Sequence, residues 1–203
     1  MATITRTISQ GSDDAKLFSN PGGNTLTIGE NSVISAVGST DETYGLLRFN
    51  NITIPAGSTI NSAYLKVTSY NSHTYDMDYK GIRIKGINNS NVATFSNGST
   101  SYPSFVTSTV LWATGKTITA NTEYTSNDIK TIIQDIINIS GWSSGNSLCI
   151  SIIPEGEYYG YTFDIYSYEG DTSKVAELEI TYTTNPSTIT NVTSIKNLTS
   201  IVV

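Results

Sequence analysis

Apolar and polar residues alternate in short runs along most of the chain: "ATITRTIS", "TLTIGENSVISAV", "GLLRFNNITI", "AYLKVTSY", "GIRIKGI", "STVLWA", "SLCISII" and "AELEITYT". A period of two places alternate side chains on the two faces of a β-strand. Clusters of Gly, Asn, Ser and Pro such as "NPGGN", "PAGS" and "SNGS" bound these runs and carry turn chemistry. Strands that recur so often, with almost no helical pattern between them, predict an all-β fold, a β-sandwich or jelly roll rather than a βαβ sheet. Leu47, Phe49, Leu65 and Val67 are expected to face inward, and Trp112 and Trp142 are large enough to plug the ends of the core. Pro55 and Gly57 set a turn between Ile54 and Ile60. Arg48, flanked by Leu47 and Phe49, must point outward or be paired.

One stretch breaks the two-residue period. In "SNDIKTIIQDIINISGW", Ile129, Ile132, Ile133, Ile136 and Ile137 fall at i, i+3, i+4, i+7 and i+8, the stripe of one short amphipathic helix at about 127–140. Ser126 or Asn127 is expected to cap its start, Asp128 to favour the positive end of its dipole, and Gly141 to take the left-handed conformation at its end. Five Ile residues lower helix propensity, so burial must hold the element. Its predicted place is a lid across an open end or edge of the sandwich.

The end of the chain follows neither period. In "NPSTITNVTSIKNLTSIVV" the apolar residues Ile189, Val192, Ile195, Leu198 and Ile201 recur every third position. Thr, Asn and Ser between them disfavour a helix, and Pro186 releases the chain from the last strand. The division expected is a sandwich body over 1–184 and an extended assembly tail over 185–203, docked on other subunits as a threefold bundle or an inserted strand.

Composition narrows the partners. With 11 Lys+Arg against 17 Asp+Glu, a net charge of -6 and a pI near 4.6, the chain has no electrostatic footprint for nucleic acid or anionic lipid. No stretch approaches the length of a membrane span. Cys149 is alone, which excludes an intrachain disulfide, and its setting predicts a buried strand. The start "MATITRTISQ" lacks the basic and apolar regions of a signal peptide. That start fits either a virion protein assembled in a cytoplasm or an extracellular module whose leader has been removed.

The order "GLLRFNNITIPAGSTINSAYLKVTS", "VLWATG", "SNDIKTIIQDIINISGWSSGNSLCISI" and "AELEITYT" resembles the DNRLRE-like β-sandwich domains, over roughly Ile4 to Thr183. That group is related to carbohydrate-binding modules and occurs in bacterial surface proteins and phage structural proteins. The resemblance implies a sandwich scaffold and leaves the ligand open.

Candidate chemistry is sparse. His73, in "YNSHTYDMDY", has no second His or Cys nearby and is expected in a solvated loop, with neither a metal set nor a hydrolytic triad around it. Asp13, Asp14, Asp76, Asp78, Glu155, Glu157, Asp164 and Glu169 are carboxylates without a catalytic pattern. A structural Ca²⁺ is a better use for such oxygens, with Asp13 and Asp14 of "GSDDA" meeting Glu169 of "SYEG"; no other cofactor is expected. Tyr158, Tyr159, Tyr161, Tyr166 and Tyr168 crowd one hairpin, a candidate contact face for a glycan or for another protein. Asn51, Asn88, Asn97, Asn138, Asn191 and Asn197 head glycosylation sequons, which this Asn/Ser/Thr-rich composition yields by chance.

These features lead to the expectation of a non-enzymatic structural or adhesive subunit of an extracellular assembly. The foremost form is a phage virion appendage or capsid decoration protein, with other copies of itself and capsid or filament proteins as partners. The alternative is a carbohydrate-binding module of a bacterial cell-surface protein or filament, bound to surface glycans.

Overall fold

The computed structural model describes residues 1–37, 41–75, 80–155 and 161–185. Tyr158, Tyr159, Asp76, Asp78 and Glu157, and the tail residues Ile189, Val192, Ile195, Leu198 and Ile201, lie outside the described residues.

Over the described residues the chain is all-β with one helix, as the alternation predicts. Its strands are β1 (Ala2–Thr7), β2 (Asp14–Asn20), β3 (Gly23–Thr27), β4 (Ser32–Val37), β5 (Glu42–Phe49), β6 (Thr59–Thr68), β7 (His73–Thr74) and β8 (Gly81–Ile87). They continue with β9 (Gly98–Thr100), β10 (Phe105–Trp112), β11 (Thr117–Ile118), β12 (Glu123–Thr125), β13 (Leu148–Glu155), β14 (Tyr161–Tyr166) and β15 (Glu177–Thr183), with helix α1 (Lys130–Ile137) before β13. One antiparallel sheet has the order β1-β15-β6-β12, and the larger one runs β10-β8-β13-β5-β2-β3-β9. β4 pairs with the start of β5 and along the whole of β14, and Ile165 of β14 bridges Ser69 beyond β6, so this pair ties the sheets together.

The main core lies between the sheets and includes Leu47, Phe49, Leu65, Val67, Trp112 and Trp142. Trp112 meets Phe163 edge-on at 6.1 Å, and Trp142 donates its indole N–H to the Ile54 carbonyl at 3.0 Å. The expected turn is present: Ser58 N–H reaches the Pro55 carbonyl at 3.2 Å, with Gly57 at a φ of 76°. β13 is buried on both sides, which explains why "LCISII" has no polar phase. Leu148, Ile150 and Ile152 enter the main core, whereas Cys149 and Ile153 join a second apolar cluster on the outer face with Ala15, Leu17, Leu46 and Ile87. The segment 88–104 covers part of that face, tied down by Phe95 N–H to the Ser12 carbonyl at 2.8 Å and Val92 N–H to the Ser147 carbonyl at 3.1 Å.

α1 is the expected lid, and it closes an edge. Asp135 accepts the Ser108 N–H of β10 at 2.9 Å, and the Asn127 amide donates to the Leu111 carbonyl at 3.0 Å. Facing β6, Asp128 accepts the Ala63 N–H, Ser126 the Leu65 N–H and Gln134 the Ile60 N–H, at 3.0, 2.9 and 2.9 Å. The helix is therefore shorter than the expected 127–140, and neither Ser126 nor Asn127 caps it. Those side chains satisfy strand edges, which would otherwise offer bare donors and acceptors to other chains. At the helix start the Asp128 carboxylate accepts the Lys130 N–H at 2.9 Å. Gly141 has the expected positive φ, 92°. Among the described residues no helix is long and apolar enough to cross a membrane.

Candidate functional site

The strand register places a groove on the outer face of the larger sheet. In β8, Ile82 and Ile84 are buried in the core, so Arg83 and Lys85 turn the other way. Lys85 stands in a row across Thr109, Ser151, Leu46 and Ala15, and Arg83 lies between Leu111 and Ile153. Beside them Val37, Glu42, Tyr44, Pro154 and Glu155 complete a groove of about 240 Å³.

Its electrostatics are uneven. Arg83 is committed to an ion pair with Glu155. Lys85 Nζ instead sits 4.9 Å from the centre of the Phe105 ring and 5.8 Å from that of Tyr44, and no carboxylate pairs with it among the described residues. Tyr44, Tyr102 and Phe105 form one aromatic group, with Tyr102 edge-on to Tyr44 at 5.6 Å and to Phe105 at 5.9 Å. Tyr44 is buried, donates its hydroxyl to Glu42 and meets the Tyr102 hydroxyl; burial, and then the Glu42 carboxylate, push its phenol far above the ordinary range. Tyr102 is 46% exposed, so its ring is a surface that a ligand can reach. Ser151, beside Lys85, is buried with its hydroxyl unpartnered. An ammonium, a carboxylate and an open ring can stack on a sugar and grip its polar groups, or hold a polar protein loop.

The tyrosine hairpin is arranged differently from the expected contact face. Tyr161 is buried in the core, edge-on to Tyr75 at 5.7 Å, because the alternation of β14 puts it in phase with Phe163 and Ile165. Tyr168 packs against the same core. Tyr166 keeps a half-buried place at the surface, but Lys174 Nζ lies 4.5 Å over its ring and Tyr70 stands edge-on at 5.0 Å. Its hydroxyl donates to Asn121 at 2.7 Å.

His73 also departs from expectation. It lies on β7 rather than in a solvated loop, stacked on Tyr75 at 5.9 Å, with Nε2 3.5 Å from Asp164 Oδ2. That oxygen accepts from Asn71 at 2.7 Å, and Asp164 is buried. No nucleophile in hydrogen-bond reach completes the pair among the described residues.

The structure brings "GSDDA" and "SYEG" together, as expected. Asp14 accepts the Tyr168 N–H at 2.8 Å, and a Cβ on Gly11 would stand 1.6 Å from Glu169 Oε1. Asp13, however, turns to a cation of the protein itself. Its carboxylate is wholly enclosed, pairs with Arg48 and accepts from Ser9 at 3.0 Å. Arg48 is thus the paired residue that its sequence position allowed, and it also donates to the Val92 carbonyl at 2.7 Å and to Ser147 at 2.8 Å. Burial above all, with Glu169 and Asp13 adding repulsion, pushes the Asp14 carboxyl up to about 7. Among the described residues no group of three His, Cys, Asp or Glu is placed to hold a metal ion.

Sequence reasoning missed the groove. The signal was the alternation in "GIRIKGI", which puts two cations on one face of a strand whose other face is core. No protein-family model matches the chain, and no curated protein matches it either.

Proposed function

We propose that this chain is a non-enzymatic adhesive or structural subunit of an extracellular assembly, foremost a phage virion appendage or capsid decoration protein. In this reading the residues beyond 185 anchor it, and the outer face of the larger sheet meets a partner. The observation that carries the reading is the groove itself: Lys85 without a carboxylate among the described residues, flanked by an open Tyr102 ring, on a body whose Asp13–Arg48 and His73–Asp164 pairs are turned inward to the fold. The test is the particle. Purified virions or filaments from the source should contain the chain in fixed stoichiometry, and a chain ended after Asn185 should not be incorporated. Equal incorporation of the shortened chain would refute the anchoring.

A second reading, a carbohydrate-binding module of a cell-surface protein or filament, is favoured by the same exposed ring beside Lys85 and Glu42. Glycan-array binding that is lost in both Tyr102→Ala and Lys85→Ala would select it over a protein contact.

A further inference from the structure

Beneath the segment 88–104 the second apolar cluster is incompletely filled. A cleft of about 220 Å³ opens there, lined by Leu17, Leu26, Leu46, Ile87, Val92 and Phe95, with Thr100 and Ser101 at its rim. A void of about 150 Å³ walled by such side chains already holds a benzene-sized group, so this one accepts one or two aliphatic side chains. The sequence supplies matching side chains in Ile189, Val192, Ile195, Leu198 and Ile201.

We propose that the cleft is the receptor for the tail, residues 186–203, of a second copy of this chain. The proposal rests on the anchoring reading above and gives it a surface. A further observation favours this occupant. The chain leaves the body at Asn185, held by its side chain to the Gly57 carbonyl at 2.6 Å, at the end of the smaller sheet, while the cleft is on the outer face of the other sheet. Eighteen residues extend to about 60 Å at most, more than the roughly 40 Å breadth of a body this size. A neighbour's cleft is reached directly, whereas the chain's own requires wrapping the flank of the sandwich.

Sedimentation tests this with the wild-type chain, one truncation and one cleft-filling variant, and disulfide capture tests it with Ser101→Cys and Ile195→Cys, on separate copies and together on one chain. The wild-type chain should associate, and the chain ended after Asn185 should be monomeric with an unchanged melt. Ala93→Trp, which fills the cleft, should lower association at least tenfold with the tail present. Should that variant fail to fold, the disulfide test stands alone: Ser101→Cys on one copy and Ile195→Cys on a differently tagged copy should form a mixed disulfide, since Cys149 is buried and inert. Association lost by truncation but kept in a folded Ala93→Trp variant would overturn the cleft while leaving the anchoring intact. A double variant that closes only within one chain would equally overturn it. A wild-type chain that is monomeric at all concentrations would overturn the cleft as the tail's receptor, while anchoring to another protein of the particle is decided by incorporation of the shortened chain.

Discussion

At Asp14 the fold opposes ionisation within the neutral pH range. In the unfolded chain its carboxyl gives up a proton near pH 4; in the fold it keeps that proton to about 7. Between those values the folded state binds more protons, so stability falls as pH rises through this window, and the loss is complete above about 7. Three pH units correspond to on the order of 4 kcal/mol. Asp14→Asn should therefore raise the melting temperature at pH 8, leave it nearly unchanged at pH 4, and still accept the Tyr168 N–H. Parallel melting curves of the two proteins across this range would refute the assignment. Added Ca²⁺ at pH 8 distinguishes a cation from a proton at the same place, because an ion held by Asp14 and Glu169 would raise the melting temperature of the wild type. Asp13 faces a cation instead. Its negative charge is what Arg48 needs, and Asp13→Ala leaves a guanidinium that is almost enclosed without its counter-charge. A loss of about 3–5 kcal/mol in chemical denaturation is expected, and a loss below 1 kcal/mol would show that the pair is not desolvated.

Among the elements, α1 depends on a position that has no side chain. A Cβ on Gly86 of β8 would stand 2.7 Å from Ile132 and 2.8 Å from Ile136, so glycine is what lets the helix settle on the sheet. Gly86→Val should cost about 1–3 kcal/mol through overpacking and expose the β10 edge, measured as a lower denaturation midpoint together with faster amide exchange at Ser108. An unchanged midpoint would mean that α1 rides higher than described. The helix also shows how far the sequence could be read. Its apolar stripe was legible because 3.6-residue periodicity is intrinsic to one segment. The task of Ser126, Asn127 and Asp128 was not, because each looks like a cap until the strand edges beside it are known. The groove was hidden for the same reason: "GIRIKGI" announces two cations on one face, but their neighbours Tyr44 and Phe105 come from β5 and β10, which only the sheet order brings alongside. Tyr161, expected at a contact face, lies in the core. In a strand with one apolar face, a tyrosine in register with Phe163 and Ile165 belongs to the core, however suggestive its neighbours in sequence.

At the scale of the whole molecule, an antiparallel sandwich must deal with its edges. β10 and β6 are covered by α1, and β9 is only three residues long, but β1 runs for six residues with no partner beyond β15 among the described residues. Thr3, Thr5 and Arg6 blunt that edge with polar side chains: the Thr3 hydroxyl meets that of Thr181 at 2.9 Å, and Arg6 donates to the Asn51 carbonyl at 2.8 Å. Apart from that edge the body offers the outer-face groove and the apolar cleft for association, and they differ in kind. The groove is charged, so contacts made through it weaken with salt; the cleft is apolar, so contacts made through it do not. Association of the full chain is accordingly expected to persist at 1 M NaCl and to be unaffected by Lys85→Ala, whereas capture of a partner or glycan through the groove should fall severalfold under both conditions. Self-association that disappears in high salt would reverse the two roles and place the contact between copies on Lys85 rather than on Leu17, Leu46 and Phe95.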